Sequence, residues 1–356
     1  MEYSTESTIR RIVLTAILVF VIPAERLCPS PERTGSARAF SDGKIECVLD
    51  TGDDMYSRSG LKAGFNYELL HRYAENAGCL ISITAAEDGE NYIDSLNCGK
   101  IDILVRLSAD SLDNPLIRRS RNVDHYCAWY LRADRTAEMK DINLWLNSFI
   151  GTRDYTDLQY RFYTSYDPFR RLERGTISGT ISPYDNLIKK HADILDWDWR
   201  LLAAIIYQES RFSIITSSSR GATGLMQVMP STAGYYGITD LLDPEQNLIA
   251  GTRHLARIQE SFSEERFTDT ERINFTLAAY NAGEKRITDC RIFAMQKELD
   301  NTKWEEVVKI IPDMRKYSFV YNDTIRSGRF RGTETINYVS RIMDIYDAFR
   351  EICPES

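Results

Sequence analysis

The first half of the chain alternates short apolar runs with a longer stretch of helical periodicity. Residues 44–50, 79–86 and 100–107 (KIECVLD, CLISITAA and KIDILVRL) are rich in aliphatic and β-branched side chains, which predicts three strands. Residues 64–78 (GFNYELLHRYAENAG) place apolar side chains at helical spacing and end on a glycine, which predicts an amphipathic helix. Strands that alternate with helices indicate a parallel sheet with crossover connections.

The second half contains a single acid at the end of an almost wholly apolar segment. This acid is Glu209, within residues 201–227 (LLAAIIYQESRFSIITSSSRGATGLMQ). Three apolar residues precede it at helical spacing: Leu202, Ile205 and Ile206. Poor solvation on that face, together with the negative end of the helix dipole, should raise the pKa of the Glu209 carboxyl. A carboxyl that keeps its proton near neutral pH can act as a general acid, whereas the alternative from spacing alone is an ion pair with Arg211 or Arg220.

Length, charge and cysteine content restrict the classes of protein. A chain of 356 residues is long enough for two domains with separate cores. The net charge of −8 gives no support to nucleic-acid binding, so no nucleic-acid partner is expected. Seven cysteines show no spacing typical of zinc ligands, so neither a metal nor another cofactor is expected, and their disulfide connectivity stays open.

The N-terminus predicts export. Two arginines precede an apolar run from Ile12 to Ile22, which is typical of a signal peptide and short for a membrane span, so residues 1–23 form a signal peptide or an N-terminal anchor. Residues 24–43 are polar and suit a linker. Cys28 follows charged residues rather than a lipobox, which argues against lipidation. The expected location is the periplasm or cell envelope, with membrane association left open.

Four motifs occur in order across the second half: ES at 209–210, SxxGAxGLMQ ending at Gln227, AAYNAG at 278–283 and ETxxYV at 334–339. Together they resemble the transglycosylase domain of the soluble lytic murein transglycosylase superfamily. The resemblance implies a mainly α, goose-lysozyme-like fold over residues 181–352 and cleavage of peptidoglycan glycan strands. Residues 151–180 would be a connector. After it, Ser182-Pro183 fits the start of a helix, and Asp198 can cap the helix that ends near Glu209.

The resemblance also implies site residues. Glu209 would be the catalytic acid, and substrate would be bound by Ser218, Gly224, Met226, Gln227, Tyr280, Asn281, Glu334 and Tyr338. Several of these residues have simpler interpretations. In these, Ser218 belongs to an ordinary loop, the glycines to a turn, Tyr280 to the core, and Glu334 to a charged helix start. Ile214 and Arg286 stand where the family usually has proline and histidine, which affects loop shape and specificity rather than the acid.

Residues 44–150 resemble a family 3 periplasmic solute-binding domain, and the whole arrangement resembles the membrane-bound lytic murein transglycosylase F type. Residues 125–134 (HYCAWYLRAD) and 141–149 (DINLWLNSF) predict the return strand and closing helix soon after the third strand. The second lobe of such a domain is therefore missing. The expected fold is a truncated α/β accessory lobe followed by the transglycosylase domain, with a muropeptide or another wall protein as candidate ligand of the lobe.

No second acid lies between Glu209 and Pro230, although most glycosidases need one. In lytic transglycosylases, as the resemblance implies, the C6 hydroxyl of N-acetylmuramic acid captures the reacting carbon and leaves a 1,6-anhydro end. A hydrolytic muramidase and an inactive glycan-binding protein are the alternatives. A pure solute receptor is disfavoured because the closing lobe is missing.

Overall fold

The computed structural model describes residues 40, 43–51, 59–87, 89–107, 114–164, 179–264, 266–315 and 332–354. The predicted signal segment, nearly all of the linker, Cys28 and residues 165–178 of the connector lie outside these ranges. Residues 40–356 form one compact unit.

A five-stranded sheet forms the first half. Its strands are β1 (Lys44–Asp50), β2 (Leu80–Ala85), β3 (Ile103–Leu107), β4 (Ile117–Asn122) and β5 (Cys127–Arg132), in the spatial order β2-β1-β3-β5-β4. The pairs β1–β2 and β1–β3 are parallel, which confirms the three predicted strands and their direction. The predicted return strand is β5, and it runs antiparallel to β3.

Strand β4 was not predicted from the sequence. It has the sequence IRRSRN, and five of its six side chains are at least partly exposed. The strand pairs antiparallel with β5 at the edge of the sheet, where charged side chains are common because they discourage further pairing. A pattern search for apolar strands misses such an edge.

The helices of the first half are α1 (Ser59–Ala77), α2 (Tyr92–Asn97), α3 (Thr136–Phe149) and α4 (Arg153–Gln159), the last continuing as a π-turn over Tyr160–Thr164. Helix α1 lies against the sheet, and the ring N–H of Trp129 on β5 donates to the buried Asn66 amide at 3.0 Å. The predicted helix at 64–78 therefore exists and begins earlier.

The second half is helical. Its helices are α5 (Asp185–Ala192), α6 (Trp199–Ser210), α7 (Pro230–Tyr235), α8 (Pro244–Glu260), α9 (Asp269–Ala282), α10 (Glu284–Gln296), α11 (Trp304–Val308) and α12 (Thr333–Ile352), with 3-10 turns at Asp193–Leu195 and Ile311–Arg315. No helix in the described ranges is both long and apolar enough to cross a bilayer. No disulfide joins any two of the six cysteines that the structure describes.

Helix α6 is the centre of this half. Asp198 caps it as predicted, accepting a hydrogen bond from the Arg200 backbone N–H at 2.9 Å. The Arg200 guanidinium also reaches the Cys353 carbonyl beyond the end of α12, and Tyr346 on α12 donates to Asp198. These bonds fix the first turn of α6 against the last turns of α12.

The predicted helix start at Ser182-Pro183 was wrong by a few residues. Helix α5 begins at Asp185, whose buried carboxylate accepts hydrogen bonds from the backbone N–H groups of Ile181 and Ser182. The Ser182 hydroxyl accepts from the Tyr184 N–H, so this serine closes the turn before the helix instead of capping it.

Helix α1 of the sheet half contacts the helical half through Gly64 and Tyr67. A side chain on Gly64 would collide with the Tyr184 hydroxyl, only 2.4 Å from an ideal Cβ, so helix α1 approaches this tyrosine closely. The Tyr67 hydroxyl on the same helix donates to Asp240, before α8, at 3.3 Å.

Candidate active site

Glu209 lies in the last turn of α6, where the chain is about to reverse direction. Arg211 and Phe212 follow with left-handed φ angles of 52° and 63°, and they direct the chain into the loop that carries the next motif. Eight of the twelve residues of the helix are buried, whereas the Glu209 side chain is partly exposed, as are those of Tyr207 and Gln208. The acid is therefore held at the boundary between the core and solvent.

Helix α12 supplies the hydrogen-bond partner of Glu209. The buried Tyr338 hydroxyl donates to Glu209 Oε1 at 2.5 Å. No cation pairs with this carboxylate in the part of the chain that the structure describes, so the ion pair with Arg211 or Arg220 does not form. The motif at 334–339 thus reaches the acid through its tyrosine.

Burial raises the pKa of Glu209 to about 7, although the Tyr338 hydrogen bond favours the charged form and opposes this shift. The predicted direction of the shift is therefore supported, and its main cause is desolvation. Because Tyr338 donates to Oε1, a proton on the carboxyl resides on the other oxygen. Because the Glu209 side chain is partly exposed, this proton can pass to a group outside the protein.

Tyr280 on α9 is the second tyrosine beside the acid. Its hydroxyl donates to the Met226 carbonyl at 2.8 Å, and both burial and the nearby Glu209 charge raise its pKa well above the usual range. Burial and the same charge also raise the pKa of Tyr338. Both phenols therefore remain protonated donors around the carboxyl at any physiological pH.

The glycine-containing motif forms a tight loop between α6 and α7. Thr223 pairs with both Ser217 and Val228 in short bridges, and the Ser210 hydroxyl donates to the Leu225 carbonyl at 2.8 Å. The loop is thus attached directly to the residue that follows Glu209. This connection puts the first two motifs into one structure.

Gly224 has a structural reason for being glycine. Its φ is +79°, and an added Cβ would lie 2.5 Å from the Leu241 carbonyl and 2.2 Å from the Asn247 amide nitrogen. The close approach is therefore to the protein. Gly221 also has a positive φ, but its Cβ position is open.

The polar side chains of this loop mainly stabilise the loop. The Gln227 amide donates to the carbonyls of Thr216 at 2.8 Å and Gly224 at 3.1 Å, and Gln227 itself has a left-handed φ of 48°. The exposed Ser218 hydroxyl accepts from the Ala222 N–H at 3.0 Å. Binding of substrate by these two side chains stays a prediction.

Met226, Asn281 and Glu334 are in different environments. Met226 is fully buried and packs against Gly251 on α8, so its contact with substrate stays a prediction. The Asn281 amide oxygen accepts from the Thr335 hydroxyl at 2.8 Å, joining the end of α9 to the start of α12. Glu334 is exposed in the first turn of α12, as in a charged helix start.

Asn247 also belongs to this site, although it was not predicted from the sequence. It lies on α8, is fully buried and forms hydrogen bonds to the loop 223–226. The sequence contains a weak signal, because an asparagine one turn after the Asp243-Pro244 helix start stands on the apolar face of an amphipathic helix.

A cavity of about 330 Å³ adjoins the site on the side of α7 and α8. It is lined by Ser231, Thr232, Tyr235, Tyr236, His254 and Arg257. The His254 ring lies 5.8 Å from the ring of Tyr280, so this cavity lies next to one of the two tyrosines near the acid.

The helical fold and an acid beside two tyrosines define a lysozyme-like domain, and comparison with known proteins specifies which one. Residues 186–303 match the family model of the transglycosylase SLT domain, so this part of the chain is such a domain. The match lies within the predicted range 181–352 and confirms the resemblance found from the motifs.

Among the relatives of this chain are proteins named membrane-bound lytic murein transglycosylase F. The protein of that name from Desulfosudis oleivorans is 32% identical over 272 residues, covering 74% of this chain and 59% of the relative. Transglycosylase F 2 of Alkalilimnicola ehrlichii is 28% identical over 326 residues, covering 90% and 70%. The chain spans 59% of the length of the Desulfosudis relative, and across these curated relatives the share ranges from 33% to 70%.

A solved structure similar to this chain is the 70 kDa soluble lytic transglycosylase of Escherichia coli. It is 20% identical, with 83% of this chain and 44% of that chain covered. The TM-score of 0.36 is too low to define a shared fold.

Proposed function

We propose that this protein is a lytic transglycosylase that cleaves the β-1,4 bond between N-acetylmuramic acid and N-acetylglucosamine in peptidoglycan. The observation that carries the proposal is the Glu209 carboxyl, whose pKa of about 7 keeps a large protonated fraction near neutral pH. Relatives named lytic murein transglycosylases support the substrate class.

In this proposal Glu209 acts twice. It first gives its proton to the oxygen of the leaving sugar, and the resulting carboxylate then takes the proton of the C6 hydroxyl as that oxygen attacks the muramic acid carbon. Tyr338 donates to Oε1 throughout and stabilises the carboxylate formed between the two steps. The intramolecular hydroxyl needs no water to be recruited.

The acid is tested by Glu209→Gln, which keeps the size of the side chain but cannot deliver a proton. We expect cleavage of purified sacculi to fall by about 10²- to 10⁴-fold or more. Glu271→Gln is the matched control, because Glu271 accepts a hydrogen bond from the Trp304 N–H far from this carboxyl, and glutamine can replace it as acceptor. Cleavage by Glu209→Gln at nearly the wild-type rate would rule out this acid.

The products separate transglycosylation from hydrolysis. We expect muropeptides about one water lighter than those of a muramidase and resistant to borohydride, because a 1,6-anhydro end has no free reducing group. Mass spectrometry before and after borohydride treatment checks this. Products that are mostly reducible would favour the muramidase alternative and make Glu334 the first candidate for a second carboxylate.

We further propose that the sheet half is a single-lobe relative of solute-binding domains and serves to dock or position the enzyme. Residues 44–150 as accessory lobe, 151–180 as connector and 181–352 as transglycosylase domain remain the proposed boundaries. A muropeptide or another wall protein is the proposed ligand of the accessory lobe. Relatives named as membrane-bound support export and a place in the cell envelope.

A further inference from the structure

Asn247 is a fully buried amide that makes three hydrogen bonds at once. Its oxygen accepts from the Met226 backbone N–H at 2.9 Å. Its nitrogen donates to the carbonyls of Thr223 and Leu241, each at 2.9 Å. The amide therefore connects α8 with the segment before it, through Leu241, and with both ends of loop residues 223–226.

We propose that Asn247 is a positioning residue of the active site, which fixes loop residues 223–226 and through them the surroundings of Glu209. The inference rests on the proposed function for the role of that acid. Asn247 is fully buried and its amide bonds to backbone groups, so its effect on Glu209 would be indirect.

Two consecutive carbonyls of the loop transmit this effect. The Leu225 carbonyl accepts the Ser210 hydroxyl, next in sequence to Glu209, and the Met226 carbonyl accepts the Tyr280 hydroxyl. Both bonds are 2.8 Å long. The Met226 N–H held by Asn247 lies in the same peptide unit as the Leu225 carbonyl, and the Met226 carbonyl follows in the next unit. A change at Asn247 should therefore displace both carbonyls.

The packing around Asn247 leaves little freedom to compensate. Gly224 allows the amide to approach within a distance that any Cβ would block, and the Met226 side chain fills the space above Gly251. A loop released from Asn247 would expose its carbonyls and admit water beside the acid. Water solvates a carboxylate, so the pKa of Glu209 should fall towards its ordinary value.

The test is a direct titration of Glu209 by carbon-13 NMR of glutamate side-chain carboxyls, with Glu209→Gln identifying the signal. Among the residues that the structure describes, the ionisable groups that face the carboxyl are Tyr338 from α12 and Tyr280 from α9, and both stay protonated over the range of interest. In Asn247→Ala we expect the titration midpoint to fall by about one pH unit or more. The protonated fraction, and with it the cleavage rate at pH 8, would then fall about tenfold.

Asn66→Ala is the matched control. Asn66 is also a fully buried asparagine, bonded to Trp129 and to the Lys62 carbonyl in the sheet half. Its loss should lower stability but leave the Glu209 midpoint unchanged. If Asn247→Ala does not fold, Asn247→Leu keeps the branched shape without the polar atoms and is compared with Asn66→Leu.

An unchanged midpoint in a folded Asn247 variant would overturn the inference. A fall of equal size in the Asn66 control would also overturn it, because the effect would then be a general consequence of lost stability. The titration needs no substrate, so it remains decisive even if wild-type protein fails to cleave sacculi and the proposed function is wrong.

Discussion

At the scale of single residues, the site depends on the balance between burial and one hydrogen bond at Glu209. Burial disfavours the carboxylate, while the Tyr338 hydroxyl favours it, and burial prevails. The Glu209 partner is a neutral phenol, and a charged arginine there would have lowered the pKa instead. The choice of partner is therefore what keeps this acid protonated near neutral pH.

The raised pKa predicts that Glu209 destabilises the folded protein in alkaline solution. Its folded pKa of about 7 exceeds the unfolded value of 4.5, so its favourable contribution is complete below pH 4.5 and is lost as the pH rises through 7. Glu209→Gln does not titrate. Between pH 5 and pH 8 the variant should gain stability over wild type by on the order of 2–3 kcal/mol.

Urea unfolding of both proteins at the two pH values checks this prediction. The Glu271→Gln variant serves again as control, since no comparable gain is expected there. A stability difference between Glu209→Gln and wild type that does not change with pH would contradict a raised pKa in the folded state.

At the scale of elements, α6 and the loop 223–228 act together because side chains of one satisfy backbone groups of the other. Ser210 is buried, and its hydroxyl bonds to the buried Leu225 carbonyl across the loop. Backbone carbonyls in such a loop have no partner in a helix or sheet, so they depend on side chains. The Ser210 hydrogen bond should therefore restrain the loop beside α6.

Ser210→Ala should therefore destabilise the protein by about 1–3 kcal/mol, because it leaves the Leu225 carbonyl buried without this donor. Ser148→Ala is the control, since its hydroxyl bonds to the Trp145 carbonyl at an exposed position of α3 and should change stability little. Thermal unfolding followed by circular dichroism measures both. Equal effects of the two substitutions would contradict the role of Ser210.

At the scale of the whole molecule, the sheet half contacts the segment that leads into α8. Tyr67 donates to Asp240, and Asp240 also accepts from the Leu242 and Asp243 N–H groups before α8. This contact ends next to Leu241, whose carbonyl is bonded to Asn247. The sheet half is thus joined to the helix that supports the catalytic loop.

A lobe with one jaw cannot close over a small ligand by hinge motion. We therefore expect no tight binding of free amino acids to this protein, and titration calorimetry with the amino acids measures it directly. Muropeptides are the comparison ligands, because a docking role allows them to bind. Micromolar affinity for a free amino acid would contradict the single-lobe interpretation.

The sequence by itself determined the local features of the fold and the site. The apolar periodicity predicted α6, Asp198 marked its start, and the solitary acid at its end indicated a raised pKa. These features follow from neighbours along the chain, which is why spacing alone was sufficient. The charged edge strand β4 was not predicted, because it is a strand through its pairing with β5 and not through its own sequence pattern.

Only the tertiary structure decided which groups surround the acid. Tyr338 reaches Glu209 across 129 positions of sequence, and the loop carbonyls are held by Ser210, Tyr280 and Asn247 from three different helices. Spacing alone did not show whether a tyrosine or an arginine is the partner of Glu209. It also did not show whether Gly224 lies close to a sugar or to Asn247. Such partners are set by how helices pack, because a hydrogen bond depends on distance and direction in space rather than on separation in sequence.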